Sequence, residues 1–414
     1  MSAVAAVHSS PRRVGKAGGV GADRGGPSTA SILLGLVAVL CVVGVVMVGS
    51  ASEVISIEQY HSPWAILIRE LMWMTVGGIG LFFALRFDYH KLRQLRMPTL
   101  IGTFFLLLLV LVPGIGVAAN GSSRWIGFGQ FRLQPSELMK FAIVIFAADL
   151  IVRRQETGGS YRTVIGPILL VAGLACGLIL MQPDMGTALV IAVIAIALLF
   201  ASGVSMRPIV KVLVGLGLLA VVVGLIDPYR RARLLSFLDP TAHAAGSGYQ
   251  VAQSLIGLGS GNLIGVGLGS GRLKWGALPN AHTDFIFSVI GEELGLVGAV
   301  AVLLLLVGLC WFGLQAAERA PDRFGSVLGV GLVTWLAAES FINVGAVIGL
   351  LPVTGIPLPF ISFGGSSLVI TMVSAGVLIN IARQGAAATA PDPHGHRPRA
   401  GAPRHPVAAG SRPR

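Results

Sequence analysis

Asp284 is the residue whose type and position most clearly indicate chemistry. It follows His282 in the segment Asn-Ala-His-Thr-Asp, directly before a long apolar run that is typical of a membrane helix. A carboxylate at the mouth of a membrane helix loses hydration unless it faces a cavity or a partner, so such a residue marks a candidate functional site.

Cationic side chains occur in two loops that are predicted to lie near this carboxylate. Arg124 and Arg132 precede the fourth apolar run, and Arg272 and Lys274 precede the eighth. Arginine and lysine bind phosphate oxygens through charge-assisted hydrogen bonds. The pattern favours a site for a phosphate or pyrophosphate, with an ordinary solvated loop surface as the structural alternative.

Further polar residues open other apolar runs at the same predicted level. Glu137 and Lys140 are close enough on one helical face to pair. Asp184 follows a Gln-Pro turn and could cap the next helix or contact a ligand. Ser366 belongs to a Gly-Gly-Ser-Ser segment, where a helix N-terminus can bind an anion. A neutralised pair, a helix cap and a plain helix start are the structural alternatives.

Other polar or unusual segments are expected to be structural. Glu339 and Asn343, one turn apart in the ninth apolar run, are expected to form hydrogen bonds between helices. Glu292 and Glu293 in the eighth run are interpreted in the same way. The Gly-rich stretch 257–271 lacks the Lys-Ser/Thr ending of a phosphate-binding loop, so we expect it to allow close packing of short re-entrant helices.

The elements that must position these residues are membrane helices. Hydrophobic residues make up 54% of the 414 residues and charged residues only 12%, whereas about a quarter of a soluble domain is charged. Many apolar runs approach or exceed the roughly 20 residues that a helix needs to cross the hydrocarbon of a bilayer. We predict an all-α integral membrane protein with about ten transmembrane helices. They lie near residues 30–50, 64–85, 97–117, 135–152, 163–181, 186–203, 207–226, 283–314, 324–350 and 365–385.

Basic residues predict the orientation of these helices. They fill the second, fourth, sixth and eighth loops and both tails. By the positive-inside rule, both termini are cytoplasmic and the large loop 227–283, between helices 7 and 8, is extracytoplasmic. The basic tails 1–29 and 386–414 are predicted to be disordered, which leaves one domain at 30–385. Asp284, Glu137 and Ser366 would then all face outward.

Several motifs, in this order along the chain, resemble the shape, elongation, division and sporulation (SEDS) family of bacterial peptidoglycan polymerases. They lie at residues 112–116, 120–121, 124–126, 134–137, 182–184, 248–250, 282–287, 291–295 and 351–367. The resemblance extends over about residues 30–385, and the first three motifs are more similar to the cell-division branch than to the elongation branch. Asn280 and Phe363 depart from the Glu and Tyr of many relatives.

The resemblance implies a glycosyltransferase in the bacterial cytoplasmic membrane. It would polymerise lipid II at the outer face, with undecaprenyl pyrophosphate as the leaving group, during septal cell-wall synthesis. Asp284 would be the catalytic base, and the substrate-binding residues would be Arg132, Glu137, Lys140, Arg124, Asp184, Lys274 and Ser366. Mg²⁺ or Mn²⁺ could bind the substrate pyrophosphate, without a dedicated metal site in the protein or an organic cofactor.

The implied partners are lipid II, a class B penicillin-binding protein transpeptidase and other membrane proteins of the divisome, with no nucleic acid. A lipid II flippase, an elongation-type polymerase and a non-catalytic scaffold are the alternatives. A flippase needs polar contacts along its whole path, whereas the predicted cluster lies on one side. The pattern therefore favours an enzyme.

Cysteine labelling tests the predicted orientation. In a variant without the three native cysteines, single cysteines at Ser123, Ser247 and Thr354 are expected to react with a membrane-impermeant maleimide added to intact cells. A cysteine at Gln94 is expected not to react, because its loop carries the positive charge typical of the cytoplasmic side. Labelling of Gln94 from outside would reverse the orientation.

Overall fold

The computed structural model describes residues 28–119, 122–128, 131–158, 162–203 and 248–389, together with Gly215. The helices are α1 (Thr29–Tyr60), α2 (Ala65–Arg86), α3 (Leu92–Val110), α4 (Pro135–Glu156), α5 (Arg162–Met181), α6 (Met185–Ala201), α7 (Tyr249–Ser260), α8 (Ile286–Glu318), α9 (Arg323–Val347) and α10 (Ser366–Thr389). A 3₁₀ turn, Tyr89–Lys91, precedes α3, and a π-helical turn, Leu273–Ala277, follows α7. The last helix continues past the predicted domain boundary at residue 385. The predicted tails otherwise lie outside the described residues.

Seven of the described helices are long and apolar enough to cross a membrane: α1, α2, α3 with the turn before it, α5, α8, α9 and α10. α4 has 22 residues and is largely buried, and α6 is a shorter apolar helix of 17 residues. Together, α1–α6 and α8–α10 coincide with nine of the ten predicted spans. The seventh predicted span, 207–226, and part of the 227–283 loop lie outside the described residues. The chain is a multi-pass helical membrane protein, as the sequence predicted.

Small residues bring the helices of the bundle close together. α2 and α10 pack along much of their length, and Gly376 lies where a Cβ atom would come within 2.8 Å of the Leu81 carbonyl oxygen. Gly77 on α2 meets Met372 of α10 in the same way, since a Cβ atom on this glycine would lie 2.6 Å from the methionine sulfur. Such contacts are typical of membrane helices, where small side chains let two backbones approach.

The loop between α3 and α4 contains a small sheet that the sequence did not predict. β1 (Gly116–Ala119), β2 (Ser122–Phe128) and β3 (Phe131–Leu133) form an antiparallel sheet in the order β1-β2-β3. β1 and β3 have only four and three residues, and the seven residues of β2, Ser-Ser-Arg-Trp-Ile-Gly-Phe, do not alternate between apolar and polar. β2 carries Arg124 and β3 carries Arg132, so the sheet positions two of the predicted substrate-binding residues.

α8 is interrupted at Gly295, whose φ of 68° lies in the left-handed region. The interruption releases backbone groups on both sides from the helix. They pair with the Gly-rich segment through hydrogen bonds of 2.9–3.1 Å, from Val266 to Glu292, from Gly267 to Glu293, from Leu296 to Asn262 and from Val297 to Leu263. Non-helical backbone at membrane depth requires such internal partners. The segment therefore packs closely, as predicted for residues 257–271.

Ion pairs fasten the end of α4 that lies away from Glu137. Asp149 is buried, and its carboxylate lies 2.9 Å from Arg93 Nε, 2.7 Å from Arg96 Nη1 and 2.8 Å from Arg153 Nε. The first two arginines belong to α3, so the pairs join the start of α3 to the end of α4. They belong to the predicted cytoplasmic face, where the sequence placed these charges.

Glu70 on α2 is expected to lower the stability of the fold. Its side chain is fully buried, and neither carboxylate oxygen has a hydrogen-bond partner among the described residues. A buried polar group without a partner costs about 1–3 kcal/mol. Replacing Glu70 by Met, which has similar length and no such group, should raise the thermal unfolding temperature in detergent. The exposed Glu58→Met is the matched control, and a lower unfolding temperature for Glu70→Met would show that the carboxyl stabilises the fold.

Candidate active site

Asp284 lies in a turn, residues 280–285, that leads into α8. The turn begins at Asn280, which has a left-handed φ of 59°, and Thr283 donates from its N–H to the Asn280 carbonyl at 3.1 Å. α8 starts at Ile286, and Asp284 is half-buried just before it. The structure thus places this carboxylate at the mouth of a membrane helix, as the sequence predicted.

The side chains of Asp284 and Arg124 both lie near Gly355 in the 351–367 loop. Gly355 has a φ of 74°, and a Cβ atom on it would lie 3.6 Å from Asp284 Oδ2 and 4.0 Å from Arg124 Nη1. A side chain at this position would be strained by the backbone conformation. The carboxylate and the guanidinium therefore both lie close to a loop position that only glycine occupies without strain.

Arg124 and Asp184 form the next part of the site. Arg124 donates from Nε to the Gln182 carbonyl at 3.2 Å, and its Nη1 lies 3.8 Å from Asp184 Oδ1. Asp184 also accepts from the Thr187 N–H at 3.2 Å and from Gln134 Nε2 at 3.0 Å. Asp184 is therefore a helix cap for α6 and, at the same time, an ionic partner of Arg124.

Ser366 connects this group to α10. Its hydroxyl accepts a hydrogen bond from the Gln134 N–H at 3.1 Å, one residue before α4. The starts of α4, α6 and α10 therefore meet at one end of the bundle. The 351–367 loop links that end to the Asp284 turn, because the Phe363 N–H donates to the His282 carbonyl at 3.0 Å. Asp284, Glu137 and Ser366 thus lie at the same end, while the compartment that this end faces stays a prediction.

Lys140 is enclosed by two carboxylates. Its Nζ lies 2.8 Å from Glu137 Oε2 and also pairs with Glu339 of α9. Ser367 donates to the same Glu137 oxygen at 2.9 Å, and the ammonium lies 5.1 Å from the centre of the Trp335 ring. The predicted pair of Glu137 and Lys140 forms, but an anion could reach this ammonium only by displacing a carboxylate. The predicted bonding of Glu339 between helices is confirmed, but the sequence did not identify Lys140 as its partner.

The two remaining cations occupy different surroundings. Arg132 is exposed on β3. Lys274 is buried in the π-helical turn, where Glu292 accepts the Arg272 and Leu273 N–H groups at 2.7 and 3.1 Å. The Lys274 ammonium lies 3.4 Å from the Glu53 carboxylate of α1. Among the described residues, neither cation forms an ion pair with the cluster of Arg124, Asp184, Glu137 and Lys140.

Asn343 contacts the loops rather than another helix. The sequence suggested that it pairs between helices, as Glu339 does. Instead, its side-chain amide donates to the carbonyl of Asp284 at 2.8 Å and to that of Ile356 at 2.7 Å. The helical period put Asn343 on a buried face but could not show that two irregular segments end beside it.

His282 is a neutral neighbour of the turn. Burial lowers the pKa of its imidazole to about 4, so the ring carries no charge at neutral pH. Its centre lies 5.7 Å from that of the Phe363 ring. Of His282 and Arg124, Arg124 is therefore the one that carries positive charge near Asp284. A carboxylate beside a guanidinium suits base-assisted attack on a substrate whose leaving group is an anion.

Comparison with known proteins identifies relatives over most of the chain. The family model described as cell cycle protein, for FtsW, RodA and SpoVE, matches residues 31–387. A probable peptidoglycan glycosyltransferase FtsW of Geobacter metallireducens is 42% identical over 351 residues, which are 84% of this chain and 93% of the relative. Stage V sporulation protein E of Bacillus subtilis is 40% identical over 354 residues, which are 85% and 96% of the two chains.

Two solved structures of similar fold belong to proteins related to peptidoglycan synthesis or rod shape. One is a chain from a study of the structural coordination of polymerization and crosslinking by a peptidoglycan synthase complex, with a TM-score of 0.70 and 29% identity. It covers 85% of this chain and 96% of its own length. The rod shape determining protein RodA of Thermus thermophilus gives a TM-score of 0.63 at 28% identity, with 85% and 95% of the two chains covered. The likeness therefore includes the fold as well as the motifs.

The burial of Lys140 between two carboxylates predicts that its replacement lowers the stability of the fold. Lys140→Ala would leave Glu137 and Glu339 buried without their counter-charge, which typically costs about 3–5 kcal/mol. A marked fall in the thermal unfolding temperature in detergent is expected. Arg132→Ala removes an exposed cation of the same site and should shift stability by no more than about 0.5 kcal/mol. Equal unfolding temperatures for the two variants would contradict the buried ion pair.

Proposed function

Because the chain belongs to the cell cycle protein family of FtsW, RodA and SpoVE, we propose that it is a peptidoglycan glycosyltransferase. Its substrate would be lipid II, polymerised into glycan strands at the outer face of the cytoplasmic membrane. The observation that carries the proposal is the position of Asp284, half-buried at a helix mouth and close to Gly355, near which the Arg124 guanidinium also lies. A polymerase of this kind needs one base and a cationic site for its leaving group.

The reaction would be a single displacement. A sugar hydroxyl of the acceptor forms a bond to the anomeric carbon of the donor, while the bond from that carbon to the pyrophosphate oxygen breaks. Asp284 takes the hydroxyl proton, and undecaprenyl pyrophosphate leaves with the electron pair. Attack from the face opposite the leaving group inverts the anomeric carbon and gives a β-linked chain. One carboxylate suffices, because pyrophosphate needs positive charge more than an acid.

The cations would divide this work according to their accessibility. Arg132 is exposed and Arg124 is partly exposed, so these two are the residues to which we assign the pyrophosphate. Lys274 would join them once its ammonium leaves Glu53. We assign Glu137, Lys140, Asp184 and Ser366 to the shape of the substrate pocket, because their polar atoms are already bound to one another or to neighbouring residues.

A divalent cation would have to be held largely by the substrate. The described residues contain no cluster of three or more His, Cys, Asp or Glu side chains that could hold a metal. Mg²⁺ commonly binds substrate phosphates and only one or two carboxylates. We propose that any Mg²⁺ or Mn²⁺ enters with the pyrophosphate, and no step above depends on it.

The relatives also support a partner and a place of action. One structural neighbour comes from a peptidoglycan synthase complex that coordinates polymerization and crosslinking. We propose that this chain likewise works with a class B penicillin-binding protein transpeptidase, together with other divisome proteins. The FtsW relatives favour action at the division septum, although a sporulation protein is nearly as similar.

Asp284→Asn is expected to abolish polymerisation and leave the fold intact. An amide has nearly the same size but does not accept the proton, and loss of a general base costs about 10²–10⁴-fold in rate. The measurement is polymerisation of labelled lipid II by the purified protein in detergent, where no second leaflet exists to receive a flipped lipid. The exposed Glu58→Gln should polymerise like the parent.

The outcomes separate the alternatives. An Asp284→Asn variant that polymerises at the parental rate would remove Asp284 from the role of base. A parent that forms no polymer in detergent, alone or with a transpeptidase partner, but moves lipid II across vesicle membranes would instead support a flippase.

A further inference from the structure

The turn that carries Asp284 is held mainly by other elements. It lies outside the hydrogen-bond ladder of α8, and its own backbone bond joins Thr283 to Asn280. Backbone groups outside regular structure take their orientation from the partners that satisfy them. The direction of the Asp284 side chain therefore depends on what holds the carbonyl of the same residue.

Asn343 holds that carbonyl. It is buried on α9, and its Nδ2 lies 2.8 Å from the Asp284 oxygen and 2.7 Å from the Ile356 oxygen. A side-chain amide has two N–H donors, so Asn343 donates one hydrogen bond to each of two irregular segments. Its Oδ1 has no partner among the described residues. Turning the amide over would press that oxygen against two carbonyl oxygens, so the two contacts fix its orientation.

The segments that Asn343 joins are the two sides of the candidate active site. One is the Asp284 turn, and the other is the 351–367 loop, in which a Cβ atom on Gly355 would lie 3.6 Å from Asp284 Oδ2 and 4.0 Å from Arg124 Nη1. The bond from Phe363 to His282 joins the same two segments at a second point. A shift of the Asp284 turn at Asn343 would therefore move the carboxylate relative to both the 351–367 loop and the Arg124 guanidinium.

α9 is held in place relative to α4, so it can fix the position of the Asp284 turn. Glu339 lies one turn before Asn343, on the same face, and pairs with Lys140 of α4. The same helix thus fixes the start of α4 through an ion pair and the Asp284 turn through an amide. The ion pair and the bond from Asn343 to Ile356 are buried, whereas the bond to Asp284 is partly buried at the edge of the site.

We propose that Asn343 is a positioning residue, which sets the Asp284 carboxylate against the 351–367 loop and Arg124. The inference rests on the proposed glycosyltransferase function, because a precise distance matters only if Asp284 reacts. Displacing a reacting group by about 1 Å can cost about 10²-fold in rate. Loss of the two hydrogen bonds should therefore lower turnover while leaving lipid II binding nearly unchanged.

The test compares Asn343→Ala and Asn343→Asp with Ser340→Ala. Asp keeps the size of Asn but lacks the NH₂ group, and Ser340 is on the same helix with its hydroxyl bound to the Leu336 carbonyl at 2.8 Å. Both Asn343 variants should lose about 10–100-fold in kcat with little change in KM, and Ser340→Ala should match the parent. Hydrogen exchange should become faster at residues 281–285 and 356–363 and stay unchanged in α4 and α10.

Each other result overturns the proposal in a distinguishable way. Parental kcat in both Asn343 variants, with Asp284→Asn inactive, would reject the positioning role and keep the polymerase. A rise in KM alone would assign Asn343 to binding, and faster exchange throughout the protein would make its role generally structural. If the parent itself forms no polymer, the proposed function fails. Unchanged hydrogen exchange at residues 281–285 in the Asn343 variants would then reject the positioning role independently.

Discussion

The pairing of Lys140 is the interaction on which the centre of this bundle depends. Its ammonium meets Glu137 of α4 and Glu339 of α9, and Ser367 of α10 donates to Glu137. Separating these helices would leave an uncompensated charge in a medium of low dielectric constant, which is far more costly than losing an apolar contact. Apolar surfaces alone permit many packings of similar free energy in lipid. The ion pair selects one of them.

The site above this cluster is built from irregular backbone. The Asp284 turn, the 351–367 loop and the broken part of α8 all lie near helix ends, and membrane depth demands internal partners for their polar groups. The partners come from neighbouring elements: Asn343 for the turn, the Gly-rich segment for α8 and the Ser366 hydroxyl for the Gln134 N–H. Regular helices therefore act as the rigid frame, and the loops hold the reactive groups.

The sequence predicts which segments lie in the membrane, but not which way each helix is rotated towards its neighbours. The length and polarity of a run are local properties, so the helical membrane fold was predicted correctly, and nine described helices coincide with predicted spans. The family was predicted correctly from the ordered motifs. The position of Asp284 before α8 followed from the same pattern. The pairing of Lys140 with Glu339, the donation of Asn343 to two loops and the pairing of Lys274 with Glu53 depend on how helices are rotated against one another. One sequence does not contain that information. The sheet was missed because two of its strands are very short and the third lacks an alternating pattern.

The burial of the charges limits which of them can bind a substrate. Freeing Lys140 for an anion would break a buried pair, at about 3–5 kcal/mol. A hydrogen bond to a charged group returns only about 1.5–3 kcal/mol, so this exchange is unfavourable unless Glu137 or Glu339 finds another partner. Arg132 is exposed and Arg124 holds Asp184 at the longer distance of 3.8 Å, so binding there displaces less. The cluster that fixes the fold is therefore poorly suited to be the first contact of an anionic leaving group, and this is why we propose the arginines of the small sheet for that role.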